Sequence, residues 1–84
     1  MAARVMIATW QEGGPAACFR KVRAAAALLL LGYASDALGE PATAQRQFEE
    51  SAALAREVGD RSRLSFALKE LVRLRIAALN DCER

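Results

Sequence analysis

Few residues of this chain could carry chemistry. There is no histidine, so the side chain that titrates near neutral pH and most often ligates metals is missing. Cys18 and Cys82 stand near opposite ends, without the Cys-x-x-Cys spacing of a zinc or redox site, and they read as reduced thiols of a cytoplasmic protein. Ser51 follows Glu49 and Glu50, but a nucleophile needs a base that a further group orients, and the sequence around it supplies neither. The two carboxylates project ~100° apart around a helix, too divergent for a paired acid–base site. Neither a P-loop nor a Gly-x-Gly-x-x-Gly run occurs, so phosphates find no glycine cradle. The expectation is a protein that is not an enzyme and holds no cofactor and no metal.

The charges point the same way. Twelve basic and ten acidic residues leave a net charge of +2, too balanced to imply nucleic acid or an anionic membrane. Cations cluster only at Arg20-Lys21-Arg23 and at Arg61-Arg63. No aromatics interleave with them for base stacking, so a nucleic-acid-associated or regulatory fragment is the alternative reading. The longest apolar run, Ala24 to Leu31, is far below the ~20 residues that span a bilayer. Val5 to Ala8 is too short for a signal-peptide core. The expected location is the cytoplasm, with no membrane partner.

The elements that would position these residues are helical. A chain of 84 residues suits one domain with a marginal core. Its composition is 54% apolar but only 6% aromatic; much of the difference is alanine, the best helix former, and few β-branched residues favour a sheet. In residues 1–12, Val5, Met6, Ile7 and Trp10 could line a short N-terminal helix, or the segment could be extended. Gly13-Gly14-Pro15 then interrupts the chain, with Pro15 suited to a helix's first turn. One helix is expected from Ala16 to Leu38, ended by a left-handed cap at Gly39. A second starts at Pro41 and runs to about Val58, with Ala44, Phe48, Ser51, Ala52, Ala55 and Val58 as its core stripe. Gly59 ends it, and Asp60 or Ser62 can N-cap a third, from about Arg61 to Asn80. Leu64, Ala67, Leu68, Leu71, Leu74 and Ala78 make that helix's core face. Arg75 falls within this stripe, where burial demands a partner or a route to water. Loops this short force sequential helices into antiparallel neighbours.

The sequence also repeats itself. A shift of 40 lays Ala27 on Ala67, Leu28 on Leu68, Leu31 on Leu71 and Leu38 on Ala78, which makes the first and third helices equivalent. Leu28-x2-Leu31-Gly32-x2-Ser35 followed by Ala44-x3-Phe48 resembles the tetratricopeptide pattern W-x2-L-G-x2-Y, then A-x3-F. The stretch Glu49 to Arg61 resembles the longer repeat variant of large bacterial signalling and transcription regulators. The pattern's closing proline is absent, with Arg56 near its place, and Gly39-Glu40-Pro41 becomes Leu79-Asn80-Asp81 one period later. The resemblance covers residues 24–81. It implies an all-α antiparallel helical-hairpin fold of one and a half repeats: residues 1–14 as N-terminal segment, 15–60 as the first repeat and 61–84 as half of a second. Residues 1–23 match no upstream repeat, so the sequence resembles a piece or remnant of a longer array.

The resemblance further implies a scaffold for protein–protein interaction whose first helices line a groove. By register that groove comprises Ala26, Leu29, Tyr33 and Asp36 from the first repeat, with Phe66, Lys69, Arg73 and Ile76 from the second. Lys69 and Arg73 would make it cationic, so that a bound segment of another protein would be acidic. Repeats bury a continuous core only by stacking, and one and a half are too few. Val72, Ile76 and Leu79 extend the apolar surface of the third helix, as Leu29, Leu30 and Tyr33 extend that of the first. The expected partner is therefore the chain itself, as a homodimer or higher oligomer. Residues 1–12, with Trp10, could instead fold back over the open face.

Overall fold

The computed structural model describes the backbone of residues 2–82 and the side-chain surroundings of residues 14–80. The fold is all-α. Its elements are α1 (Ala2–Ala37), α2 (Pro41–Val58) and α3 (Arg61–Cys82), with no strand among the described residues. Gly14 inside α1 has φ 71° and ψ −171°, a backbone state open to glycine at little cost. The segment before Pro15 is thus helical and joined to α1 across a kink, rather than set apart by a loop. Its side chains, Trp10 included, lie outside the described residues, as does any contact they make with the open face.

Both helix ends use the same device. Gly39 and Gly59 have φ near +79° and +75°. The next amide reaches back five residues each time, from Glu40 to the Ser35 carbonyl at 2.9 Å and from Asp60 to the Ala55 carbonyl at 2.8 Å. This motif satisfies carbonyls that a helix end leaves open. Pro41 then starts α2, where its missing N–H costs nothing. Asp60, rather than Ser62, caps α3: its Oδ1 accepts from the Arg63 amide at 3.2 Å and its Oδ2 from the Arg63 guanidinium at 2.5 Å.

The contacts between α1 and α2 run in opposite chain directions. Lys21 pairs with Glu57, Ala25 with Ser51, Gly32 with Phe48 and Ser35 with Gln47, so the two helices are antiparallel. Small residues fill this interface: Ala25, Gly32, Ala44, Ser51, Ala52 and Ala55 are all buried. Ser51 Oγ donates to the Ala25 carbonyl at 2.7 Å, and Ser35 Oγ to Gln47 Oε1 at 2.6 Å. No buried side-chain polar atom among the described residues lacks a partner, as a thin core requires.

Phe48 is the pivot. It is fully buried, makes an edge contact with Tyr33 at a centroid distance of 5.3 Å, and packs with Ala44, Leu74, Leu29 and Leu71. A Cβ placed on Gly32 would lie 2.6–2.8 Å from three carbons of the Phe48 ring. The near equality of those distances puts that position over the ring face, since an approach at the rim would leave the flanking carbons much farther away. The second-helix stripe is buried as its spacing predicts.

The third is corrected. Ala67 and Leu74 are buried and Leu64 and Leu71 partly so, but Leu68, Arg75 and Ala78 are exposed. Leu68 faces away from α2, while Arg75 and Ala78 stay exposed because they line an open cavity with Gln45 and Glu49 of α2 rather than packing against it. Leu38 is likewise exposed beyond the end of α1.

Two outcomes are expected from denaturation. Phe48→Ala should cost ~3–5 kcal/mol. Gly32→Ala should be destabilising although alanine is the better helix former by ~1 kcal/mol, because overpacking costs ~1–3 kcal/mol; a more stable Gly32→Ala variant would disprove the close approach. Burial acts to raise the Asp60 carboxyl, but the hydrogen bonds and charge of Arg63, with the Ser62 amide, outweigh it and hold the group below its ordinary value of 3.8. A lowered carboxylate stabilises the fold above its unfolded pKa and loses that contribution as pH falls through the folded one. Asparagine still caps, so Asp60→Asn should cost under about 1 kcal/mol at pH 7. That deficit should shrink below about pH 4; one that grows on acidification would contradict the pairing.

Candidate interaction surface

The structure brings part of the expected groove together, at Asp36 and Arg73. Leu29 is drawn into the core against Phe48 and Leu74. Tyr33 is held edge-on by the Phe48 ring, leaving about a third of it exposed (38%). Asp36 and Arg73 meet: Arg73 Nη2 lies 2.6 Å from Asp36 Oδ2, and its Nε lies 2.6 Å from Glu70 Oε2. Those two hydrogen bonds raise the Arg73 guanidinium further above its usual value. One of the two expected cations of the groove, Arg73, is therefore occupied by the chain's own carboxylates and ties α3 to the end of α1. Phe66 is exposed, with the Lys69 ammonium 5.9 Å from its ring centre, the geometry of a weak cation–π contact. Ile76 is exposed one turn beyond Arg73. Ala26 is partly buried.

The structure instead leaves two other faces open, and the repeat explains both. Ala67 and Leu74, which α3 buries, correspond one period earlier to Ala27 and Ala34, both exposed. Leu28 and Gly32, which α1 turns toward α2, correspond one period later to Leu68 and Val72, both exposed. So α2 sits between faces of α1 and α3 that are not equivalent, and each outer helix keeps the face the other has used.

On α1 the open face is Ala24, Ala27, Leu31, Ala34 and Leu38, all exposed. Their alternating spacings of three and four form a seam for another helix. No residue from Ala24 to Ser35 is charged. On α3 the open face is Leu68, Val72, Ile76 and Leu79, exposed by 41%, 58%, 54% and 58%. Arg61, Leu64, Ser65, Leu68, Lys69 and Val72 line a shallow cavity of 490 Å³ at its N-terminal end. Sequence periodicity marked Val72, Ile76 and Leu79. It missed the α1 seam, whose signal was the charge-free run read only as a failed membrane span.

The basic clusters are partly neutralised, Lys21 by Glu57 and Arg63 by Asp60. Cys18 is buried and unbonded. Among the described residues no acidic or thiol group gathers in a metal-holding cluster, and no helix is long and apolar enough to cross a membrane. No protein-family model, curated protein or solved structure matches the chain.

Proposed function

We propose that the chain is a cytoplasmic protein–protein interaction module on a tetratricopeptide-like scaffold, and that it associates with a second copy of itself. The observation that carries this reading is the α1 seam. Ala24, Ala27, Leu31, Ala34 and Leu38 are all exposed, spaced as a helix-pairing stripe, and free of charge along most of their length. Alanines permit close approach of the backbones, and an antiparallel two-fold pairing of α1 over Ala24 to Ser35 opposes no like charges. One shared interface of this kind is the commonest arrangement of soluble oligomers. The small core also favours it, because chains of this size gain much from added burial.

The tetratricopeptide-like part of the reading is supported by Phe48 lying over Gly32, which gives a physical reason for glycine and an aromatic at those two positions of the pattern. The nucleic-acid alternative draws less support, since each basic cluster has one cation already paired within the chain.

Sedimentation equilibrium over a wide concentration range tests the self-association. The mass of two chains is expected, falling to one chain on Leu31→Glu with the helical circular dichroism intact, because Leu31 carries no core contact. A single-chain mass at all concentrations would overturn the self-association, and a dimer indifferent to Leu31→Glu would overturn the α1 seam as its interface.

A further inference from the structure

We propose that the open face of α3 docks an amphipathic helix with acidic flanks contributed by a different protein. This rests on the reading of the chain as an interaction module and adds a second surface, with its own partner, to the self-associating one.

The first argument is charge. The stripe Leu68, Val72 and Leu79 runs along α3 with Arg61 at one end, Lys69 on one flank and Arg75 on the other. Around a helix with ~100° per residue, Arg61, Leu68, Val72 and Leu79 fall within one narrow sector, and Lys69 and Arg75 border it. Among the described residues none of these three cations has a carboxylate partner; Lys69 meets only the Phe66 ring. Arg73, by contrast, is held by Asp36 and Glu70. The cations left over on α3 are thus those beside the open apolar stripe. A helix laid there gains charge-assisted contacts if it presents carboxylates and suffers repulsion if it presents cations.

The second argument excludes the chain's own helices. Two α3 faces brought together by a two-fold axis would oppose Arg61, Lys69 and Arg75 with the same three cations. The α1 seam carries no carboxylate and begins one turn after Arg20. Helix α2 carries Glu49, Glu50 and Glu57, but Glu49 lines a cavity with α3, Glu57 is paired with Lys21, and the exposed apolar residue between them is the small Ala53.

The third argument concerns shape. Val72 stands where the repeat has Gly32 one period earlier. Gly32 is what lets the Phe48 ring lie against α1; a valine there fills that space. An α2-like helix with an inward aromatic therefore cannot seat on α3 as α2 seats on α1. A helix with aliphatic knobs at spacings of three and four can, packing around Val72 and into the cavity beside Leu68.

The experiment uses the full chain and three synthetic peptides, read by fluorescence anisotropy. One carries leucines at spacings of three and four with glutamates on both flanks. The second has lysines for the glutamates, and the third has the acidic composition with its leucines scrambled. The acidic amphipathic helix should bind, with both others weaker by about tenfold or more. Its affinity should fall with rising salt and with Val72→Glu or Arg75→Glu. Both substituted residues are exposed, so folding should survive, as circular dichroism checks. Equal binding of acidic and basic helices, no binding at all, or binding indifferent to Val72→Glu would overturn the proposal. So would a dimer that Val72→Glu dissociates, which would give this face to a second copy. A dimer lost on Leu31→Glu while the acidic peptide still binds would uphold it, and the sedimentation and peptide results fail independently.

Discussion

The contact on which the rest of this structure depends is the Phe48 ring lying across Gly32. Among the described residues Phe48 is the largest fully buried side chain, in a protein with few aromatics to spare. Its burial is possible because α1 has no side chain at position 32. The ring then sets the separation of α1 and α2, and with it the depth at which Ser51 can reach the Ala25 carbonyl and Ser35 the Gln47 side chain. It also forms the floor on which Leu74 and Leu71 of α3 rest. Fully burying such a side chain is worth ~1.5–3 kcal/mol by transfer alone, a large share of the stability a small domain can muster.

A helix wedged between two others leaves each of them with an unused face, and here the unused faces differ in charge. The α1 face is alanine and leucine without charge; the α3 face is leucine, valine and isoleucine bordered by cations. Burying the first against itself brings no ionic penalty. Burying the second against itself would bring like charges together with little water to screen them. On the proposed reading, electrostatics more than apolar area separates the surface that pairs with a copy from the surface that takes an acidic helix. The Asp36–Arg73–Glu70 cluster contributes to this division by neutralising one cation of α3. It also ties α1 to α3 through an exposed ion pair, an interaction of modest strength.

Much of the fold is legible in the sequence because its signals are local. Gly39, Pro41 and Gly59 mark the ends of helices by backbone chemistry and Asp60 by its carboxylate cap, and the stripe from Ala44 to Val58 follows from period. What is not legible depends on how many neighbours a helix has. Leu68 and Ala78 share the period of Ala67 and Leu74, yet they are exposed, because nothing in α3's own pattern reports that its cover comes mainly from α2. Arg75 reads as a core intruder for the same reason. The groove residues were distributed by register, and register says nothing of pairing: Asp36 and Arg73 are 37 positions apart and become partners only when α1 and α3 run side by side. The kink at Gly14 was visible as a breaker but not as a continuation.

The close approach of Gly32 and Phe48 is measurable without perturbing it. In the proton NMR spectrum of the intact chain, a Gly32 Hα lying over the aromatic face is shielded by the ring current. It should resonate well upfield of ordinary helical glycine and show nuclear Overhauser contacts to the Phe48 ring protons. A Gly32 Hα at an ordinary position, with no contact to that ring, would contradict the packing of α1 on α2 and the account of the open faces built on it.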